Sequence, residues 1–270
     1  MAFGVVTRGT TGTNRLRRVD RWIAQLPEFT KALDPLVVDL GYGASAVTVL
    51  ELERRLHAVR KDAELIGIEI EPDRVAGARE HLAKVRAGHT QFRENARVSF
   101  ERGGFETPLR DGRRPAVIRA FNVLRQYQET DVAAAWDMML ARLQYGGVLI
   151  EGTCDEIGRV SSWITLDRHG PRTLTLSLRA GCYDSPSVLA ERLPKALIHR
   201  NVPGEGIHRL LNDLDRAWQR NAPLASFGAP QRWLASVAAL QHEGWAVVGD
   251  QSRWRLGELT VPWDTVRPLA

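Results

Sequence analysis

The order of apolar and polar positions divides the middle of the chain into short runs and longer periodic stretches. Five runs of apolar residues are too short for helices and predict buried strands, at residues 36–40, 65–70, 98–100, 117–123 and 148–150. Between the first three runs, residues 46–61 and 73–87 carry apolar side chains at helical spacing. This alternation of strand and helix predicts parallel βαβ units, with helices on both faces of a central sheet.

The segments on either side of this core are less regular. Residues 10–33 predict a leading helix, whose apolar stripe includes Leu16 and Ile23. After residue 150, the pattern predicts a hairpin from two strands, then three helices, then a last strand. These elements are expected at residues 161–166 and 172–178 for the hairpin, 187–198, 207–220 and 230–242 for the helices, and 245–248 for the strand.

The predicted fold class is therefore α/β: a doubly wound, mostly parallel sheet with a leading helix and a mixed hairpin and helical C-terminal half. We divide the chain into a leading helical segment at residues 1–34, a core at 35–153, and a last part at 154–270. This last part is expected to complete the sheet and to add a helical extension on the substrate side.

Composition changes this picture little. The chain has 270 residues and a net charge of +5, which permits binding to a polyanion, but its abundance of arginine over lysine is also typical of a GC-rich genome. No run approaches the roughly 20 apolar residues of a membrane span, and the start lacks the apolar run of a signal peptide. We therefore expect no membrane partner and a cytoplasmic location. Cys154 and Cys182 form no CxxC pair, so neither a disulfide framework nor a zinc site is indicated.

The most informative motif is the loop after the first predicted strand. Gly41 and Gly43 follow Asp39 on a tight turn before the first long helix, where the absence of a Cβ lets a ligand approach the backbone. Glu69 ends the second predicted strand, at the spacing where α/β nucleotide sites place a carboxylate for the ribose hydroxyls. Together, these two features predict a nucleoside-binding site at the carboxyl ends of the strands.

This arrangement resembles the class I, Rossmann-like S-adenosylmethionine-dependent methyltransferases. Their first motif is an acid, any residue, Gly, any residue, Gly, matched here by Asp39, Gly41 and Gly43, and their second strand ends in an acid, matched by Glu69. The resemblance extends over residues 35–152. It implies S-adenosylmethionine as the cofactor of the core and methyl transfer as the activity.

The same resemblance implies roles for individual residues. Asp39 would anchor the amino group of the cofactor, Glu69 would bind its ribose, and Ile70 would pack beside its adenine. Gly41, Tyr42 and Gly43 would line the methionine and the ribose, and Ser45 stands where the family often has a third glycine.

The third and fourth strand ends match the family more loosely. Gly104 stands where an Asp often reads the adenine amine, which leaves Phe105 and backbone amides for that contact. Asn122 and Tyr127 follow the fourth strand, where the family closes over the transferable methyl group. We treat both as candidate catalytic residues, with a helix cap and a core tyrosine as the structural alternatives.

Two other function classes stay open. A nicotinamide-dependent oxidoreductase is disfavoured because Ala46 stands at the third glycine of the GxGxxG fingerprint. A non-catalytic S-adenosylmethionine-binding protein is kept open by the departures at Ser45 and Gly104. The spacing of His199 and His208 matches no metal motif, so no metal is expected.

The acceptor is not encoded in the core motifs. We favour a small molecule or metabolite over RNA, although four arginines of the leading segment offer contacts for phosphates: Arg15, Arg17, Arg18 and Arg21. The sequence carries no signal for the oligomeric state.

Overall fold

A computed structural model describes residues 3–269, with the side chain of Asp111 excepted. The helices are α1 (Arg17–Ile23), α2 (Pro27–Thr30), α3 (Val47–Val59), α4 (Pro72–Arg86), α5 (Val132–Leu140), α6 (Lys195–Ile198), α7 (Gly206–Arg220), α8 (Ala229–His242) and α9 (Gln251–Trp254). The strands are β1 (Leu36–Leu40), β2 (Glu64–Glu69), β3 (Val98–Arg102), β4 (Val117–Phe121), β5 (Val148–Cys154), β6 (Val160–Asp167), β7 (Gly170–Leu178) and β8 (Glu258–Pro262). Among these residues, no helix combines the length and the apolar character that a membrane crossing requires.

The strands follow the order β3-β2-β1-β4-β5-β6-β7-β8. β1 pairs in parallel with both β2 and β4, β2 pairs in parallel with β3, and β7 pairs antiparallel with β8. Since the chain runs outward from β1 in both directions, the end of β1 is a switch point, where open α/β sheets bind ligands. The predicted fold class, a doubly wound and mostly parallel sheet, is confirmed.

The chain divides into two compact units. The first contains the residues up to Glu151 together with 156–158 and 166–170, and the second contains the remaining residues. The leading segment thus belongs to the same unit as β1 to β4. The proposed three-part division by role stays a prediction.

In the first unit, the helices α3 and α4, both predicted from the sequence, cover the sheet. α3 and α4 begin and end within two residues of the expected positions. α4 begins with Pro72, which fits the first helical position because the N–H that proline lacks has no intrahelical acceptor there. Leu50, Leu52 and Leu56 of α3 are fully buried, so the apolar face of this helix forms part of the core.

The leading helix is shorter than predicted. Asn14 has a φ of 61°, in the left-handed region, so the helix cannot extend back through it. α1 begins only at Arg17, and Pro27 starts the separate short helix α2. The prediction of one helix over residues 10–33 is therefore wrong in its length.

Two predictions for the second unit are also wrong in detail. The helix expected at 187–198 is a 3-10 helix at Pro186–Arg192 followed by α6, because Pro194 excludes helical backbone at the residue before it. The strand expected at 245–248 is reduced to a single bridge from Val248 to Thr260. The indole of Trp245 instead donates a hydrogen bond to Asp213 of α7 at 3.0 Å.

The last strand of the sheet, β8, was not predicted. Its residues Glu258, Leu259, Thr260 and Val261 alternate polar and apolar types over only four positions, at the short limit for a strand, although all four are buried. The predicted hairpin and the helices α7 and α8 are present.

Glu151 of β5 is a carboxyl group within the core of the first unit. Its side chain is 1% exposed, and burial raises its pKa to about 8, with the indole of Trp136 limiting the rise. The ordinary value is 4.5. Between pH 4.5 and about 8, Glu151 binds more protons in the folded state than in the unfolded state. Its contribution to the free energy of unfolding is therefore complete below the ordinary pKa and is lost as the pH rises through about 8.

We therefore expect the free energy of unfolding of the wild type to fall between about pH 5 and pH 8, and Glu151→Gln to reduce that fall. Urea unfolding across this range measures both. Glu94→Gln, at an exposed carboxylate of the same unit, is the matched control. A decline that is the same in Glu151→Gln as in the wild type would contradict this account of the buried group.

Candidate functional site

The loop after β1 turns at its two glycines. Gly41 and Gly43 have φ values of 71° and 84°, which side chains other than glycine rarely adopt. A Cβ at Gly41 would lie 2.5 Å from the side chain of Val123, which follows β4. The loop ends where the hydroxyl of Ser45 accepts a hydrogen bond from the Val47 amide at 3.3 Å, at the start of α3. Both glycines are thus required for the loop to lie close to its neighbours.

Glu69 sits at the end of β2 with its side chain 1% exposed. Its Oε2 accepts a hydrogen bond from the Gly43 amide at 2.9 Å, and its Oε1 accepts from the amides of Ile70 and Glu71 at 2.9 and 3.3 Å. Arg74 lies 3.7 Å from Oε2. Three amides and a guanidinium therefore compensate the negative charge where the ends of β1 and β2 meet.

A pocket opens beside Glu69. It is bounded by residues at the carboxyl ends of β1 to β4 and by the leading segment. The lining residues are Phe3, Gly4, Val5, Thr7, Leu40, Gly41, Glu69, Ile70, Gly103, Gly104, Phe105, Val123 and Tyr127. The rings of Phe105 and Tyr127 lie 5.2 Å apart, so one wall of the pocket is aromatic.

Beneath the glycine loop lies a fully buried arginine. The guanidinium of Arg119, on β4, donates two hydrogen bonds to Asp39 at 2.8 and 2.5 Å and a third to Asp20 of α1. Asp39 and Arg119 are register partners in the sheet, so their side chains share a face. Arg55 of α3 also contacts Asp20, at 2.6 Å.

The pKa values of this network follow from its burial. Burial raises the pKa of Asp20 to about 6, while Arg119 and Arg55 limit the rise. For Arg119, burial alone would lower the pKa of the guanidinium, but the two aspartates outweigh it and the pKa is raised. Arg119 is therefore charged at any pH at which the protein folds, and the network joins α1, β1 and β4 below the loop.

The residues expected to bind the cofactor fall into two groups. Five line the pocket: Gly41, Glu69, Ile70, Gly104 and Phe105. Asp39, Tyr42, Gly43, Ser45 and Asn122 do not line it, although Gly43 contributes its amide to Glu69. Asp39 is bound by Arg119, and the ring of Tyr42 packs against Phe100 at 5.2 Å.

The two candidate catalytic residues lie at the end of β4. Asn122 has a φ of 59°, a left-handed conformation that strains a side chain and occurs most often at functional sites and turns. The hydroxyl of Tyr127 lines the pocket and accepts a hydrogen bond from the Val5 amide. Burial raises the pKa of Tyr127, partly offset by that hydrogen bond, so its phenol is protonated at neutral pH.

Some residues of the site were not expected from the sequence. Phe3, Gly4, Val5 and Thr7 line the pocket through the leading segment, and their only signal is a short apolar run at residues 3–6. Arg119 could have been found as the single charge within the apolar run at 117–121. A lone charge in a fully buried strand requires a partner, and the structure shows that Asp39, its register partner on β1, supplies it.

The histidines flanking residues 201–206 have other contacts. His199 lies 3.2 Å from the ammonium of Lys195, and His208 lies 3.2 Å from the side-chain oxygen of Asn201. Within residues 3–269, no group of three or more metal-ligating side chains comes together.

The network around Arg119 makes a testable prediction about stability. Arg119→Met should lower the free energy of unfolding by about 3–5 kcal/mol, because it leaves Asp39 and Asp20 buried without their shared cation. Combining Arg119→Met with Asp39→Asn should recover part of the loss, since one uncompensated charge is removed. Urea unfolding measures both, with Arg86→Met on the exposed face of α4 as control. A loss no larger than that of the control would show that the network does not stabilise the fold.

Comparison with known proteins gives no match to a family model and none to a curated protein. Solved structures that resemble the chain include a plantazolicin methyltransferase in complex with a desmethyl analogue and S-adenosylhomocysteine, with 11% identity, a TM-score of 0.38, and coverage of 53% of this chain and 48% of that one. A precorrin-6y C5,15-methyltransferase from Geobacter metallireducens matches with 16% identity, a TM-score of 0.37, and coverage of 55% and 67%. A SAM-dependent methyltransferase from Leishmania major matches with 14% identity, a TM-score of 0.35, and coverage of 51% and 48%.

The chain thus spans about half the length of the first solved structures it matches. The sheet order, the parallel pairings around β1 and the glycine loop at its end give the chain a class I methyltransferase-like fold.

Proposed function

We propose that this chain binds S-adenosylmethionine at the carboxyl ends of β1 to β4 and transfers its methyl group to a small-molecule acceptor. The observation that carries the proposal is the position of Glu69. Its buried carboxylate is fixed by the amide of the glycine loop and faces a pocket at the switch point of the sheet. A carboxylate in this place can accept hydrogen bonds from ribose hydroxyls.

The hydrogen bonds of Glu69 support this assignment. A carboxylate has about four acceptor sites, and three backbone amides use three of them. One site is left for a hydroxyl donor from the pocket. The neighbouring β3 end has glycine at 103 and 104, so no side chain of these two residues stands beside that acceptor. The residues present therefore fit a nucleoside.

The remaining parts of the cofactor can be assigned to the walls of the pocket. Ile70 and Phe105 offer apolar surface to an adenine ring, and Gly41 leaves room near the methionine portion. For Asp39 we propose a different role from the one that the family resemblance implies. Since Arg119 binds both carboxylate oxygens of Asp39, Asp39 acts by fixing the end of β1.

S-adenosylmethionine supplies a methyl group on a sulfonium centre, which is transferred by in-line displacement. The protein contributes mainly by orienting donor and acceptor and by excluding water. Tyr127 is protonated at neutral pH, so it orients an acceptor by hydrogen bonding and does not remove its proton. Asn122 is the other candidate, because it has a left-handed backbone and directly precedes Val123 of the pocket in the chain.

A small-molecule acceptor agrees better with the leading segment than RNA does. Arg15 is 7% exposed, and its guanidinium donates to the carbonyl of Thr10. The guanidinium of Arg18 donates to the carbonyl of Gly158 at 3.3 Å. Two of the four arginines are thus bound within the first unit, so the segment offers no cluster of four exposed cations to a phosphate backbone.

The proposal predicts that S-adenosylhomocysteine binds and that Glu69→Gln weakens its binding by about 1–3 kcal/mol, the effect of losing a hydrogen bond to a charged group. Isothermal titration calorimetry measures both affinities, and circular dichroism checks that the variant folds. Glu71→Gln, two residues further along and less buried, is the matched control.

Absence of heat with S-adenosylhomocysteine in folded wild-type protein would refute the proposed cofactor. Binding of NAD in its place would favour the oxidoreductase alternative. Tight cofactor binding without methyl transfer to any acceptor in a metabolite panel would favour the non-catalytic alternative.

A further inference from the structure

The leading segment occupies the edge of the proposed cofactor site. We call residues 3–9 the strap. Its first residue, Phe3, accepts a hydrogen bond from the Phe105 amide at 2.9 Å and donates one to the Glu106 carboxylate at 2.8 Å. A Cβ on Gly104 would lie 1.9 Å from the Phe3 carbonyl oxygen, so this contact requires glycine at the end of β3.

Further along, the strap crosses the other strand ends. Val5 donates its amide to the Tyr127 hydroxyl, and its carbonyl accepts from the side chain of Gln126 at 3.1 Å. The carbonyl and the hydroxyl of Thr7 accept from Arg74 at 2.8 and 3.2 Å. The carbonyl of Gly9 accepts from the Ala44 amide of the glycine loop at 3.0 Å. The strap therefore reaches the loops after β1, β2, β3 and β4.

These contacts are made largely by the backbone of the strap. The side chains of Phe3, Val5 and Val6 are 55%, 62% and 44% exposed, so they bury little apolar surface. Each hydrogen bond contributes only about 0.5–1.5 kcal/mol net, because the separated groups bond to water. The strap is thus positioned specifically but held by interactions that solvent can replace.

The strap also limits the space for a ligand. Phe3, Gly4, Val5 and Thr7 form one side of the pocket, and the cavity that they leave has a volume of only about 20 Å³, room for about one water molecule. The amide of Phe105, beside the expected adenine position, is already bonded to Phe3. An adenosyl ligand therefore needs both the space and the donor that the strap occupies.

We propose that the strap is an autoinhibitory element, which competes with the cofactor for the ends of β3 and β4 and leaves them when the cofactor binds. This inference rests on the proposed function. The apparent dissociation constant equals the intrinsic constant divided by the fraction of molecules with an open strap. Weakening the strap should therefore tighten cofactor binding.

The comparison of Val5→Pro with Val5→Ala tests this. Both variants shorten an exposed side chain, but only proline removes the amide that donates to Tyr127. Gly4 has no Cβ, so it accepts a following proline without a clash. We expect S-adenosylhomocysteine to bind Val5→Pro about 2- to 10-fold more tightly than Val5→Ala, the range that one net hydrogen bond corresponds to. Equal affinities, or weaker binding by Val5→Pro, would overturn the inference.

Hydrogen exchange on the full chain distinguishes a competing strap from a covering one. On addition of S-adenosylhomocysteine, peptides covering residues 41–46 should exchange more slowly, while the amides of the strap should exchange faster. Slower exchange in both segments would overturn the inference and make the strap a lid that closes over the ligand.

The same data separate this inference from the proposed function. Binding by Val5→Pro without detectable binding by the wild type supports both the cofactor assignment and the competing strap. No protection at residues 41–46 and no heat with either protein would overturn the proposed function, and the inference with it.

Discussion

The first unit depends on the fully buried guanidinium of Arg119. Arg119 has no exposed surface, and a charge in that position is compatible with folding only because Asp39 and Asp20 accept its hydrogen bonds. These contacts join strand β4 to strand β1 and to helix α1. Asp39 lies two residues before Gly41, so the ion pair fixes the point at which the backbone turns into the glycine loop. The geometry of the ligand pocket follows from this charge pairing below it.

A second charged group connects the loop to the neighbouring strand. The Glu69 carboxylate is almost fully buried, yet backbone amides from both sides satisfy it, including that of Gly43. Amides held at fixed positions orient the carboxylate without relying on mobile side chains. The carboxylate therefore keeps its orientation toward the pocket before any ligand arrives. Such preorganisation reduces the entropy lost on binding.

Much of the fold could be predicted from the sequence. The apolar runs locate β1 to β5, because strands buried within the sheet are almost continuously apolar, and the helical stripes locate α3 and α4, because each of these helices buries one face. The glycine loop and Glu69 were found for a different reason. Glycines at positive φ and an acid at a strand end have few structural explanations, so their types and spacing are informative.

The remainder could not be predicted, for physical reasons. The strap is held by backbone hydrogen bonds, which any sequence without proline can form, so residues 3–9 carry almost no signature. The proposed role of Asp39 depends on Arg119, a residue 80 positions away, and sequence order alone does not reveal that the two are register partners. Strand β8 alternates polar and apolar residues over only four positions, so its signal is at the short limit for a strand.

The central claim is that Glu69 and the glycine loop hold the ribose of an adenosyl cofactor. A crystal structure of the complex with S-adenosylhomocysteine tests it most directly. The account predicts a ribose hydroxyl oxygen within about 3 Å of the Glu69 carboxylate, with the adenine between Ile70 and Phe105. A ligand bound elsewhere, or a ribose without contact to Glu69, would contradict it.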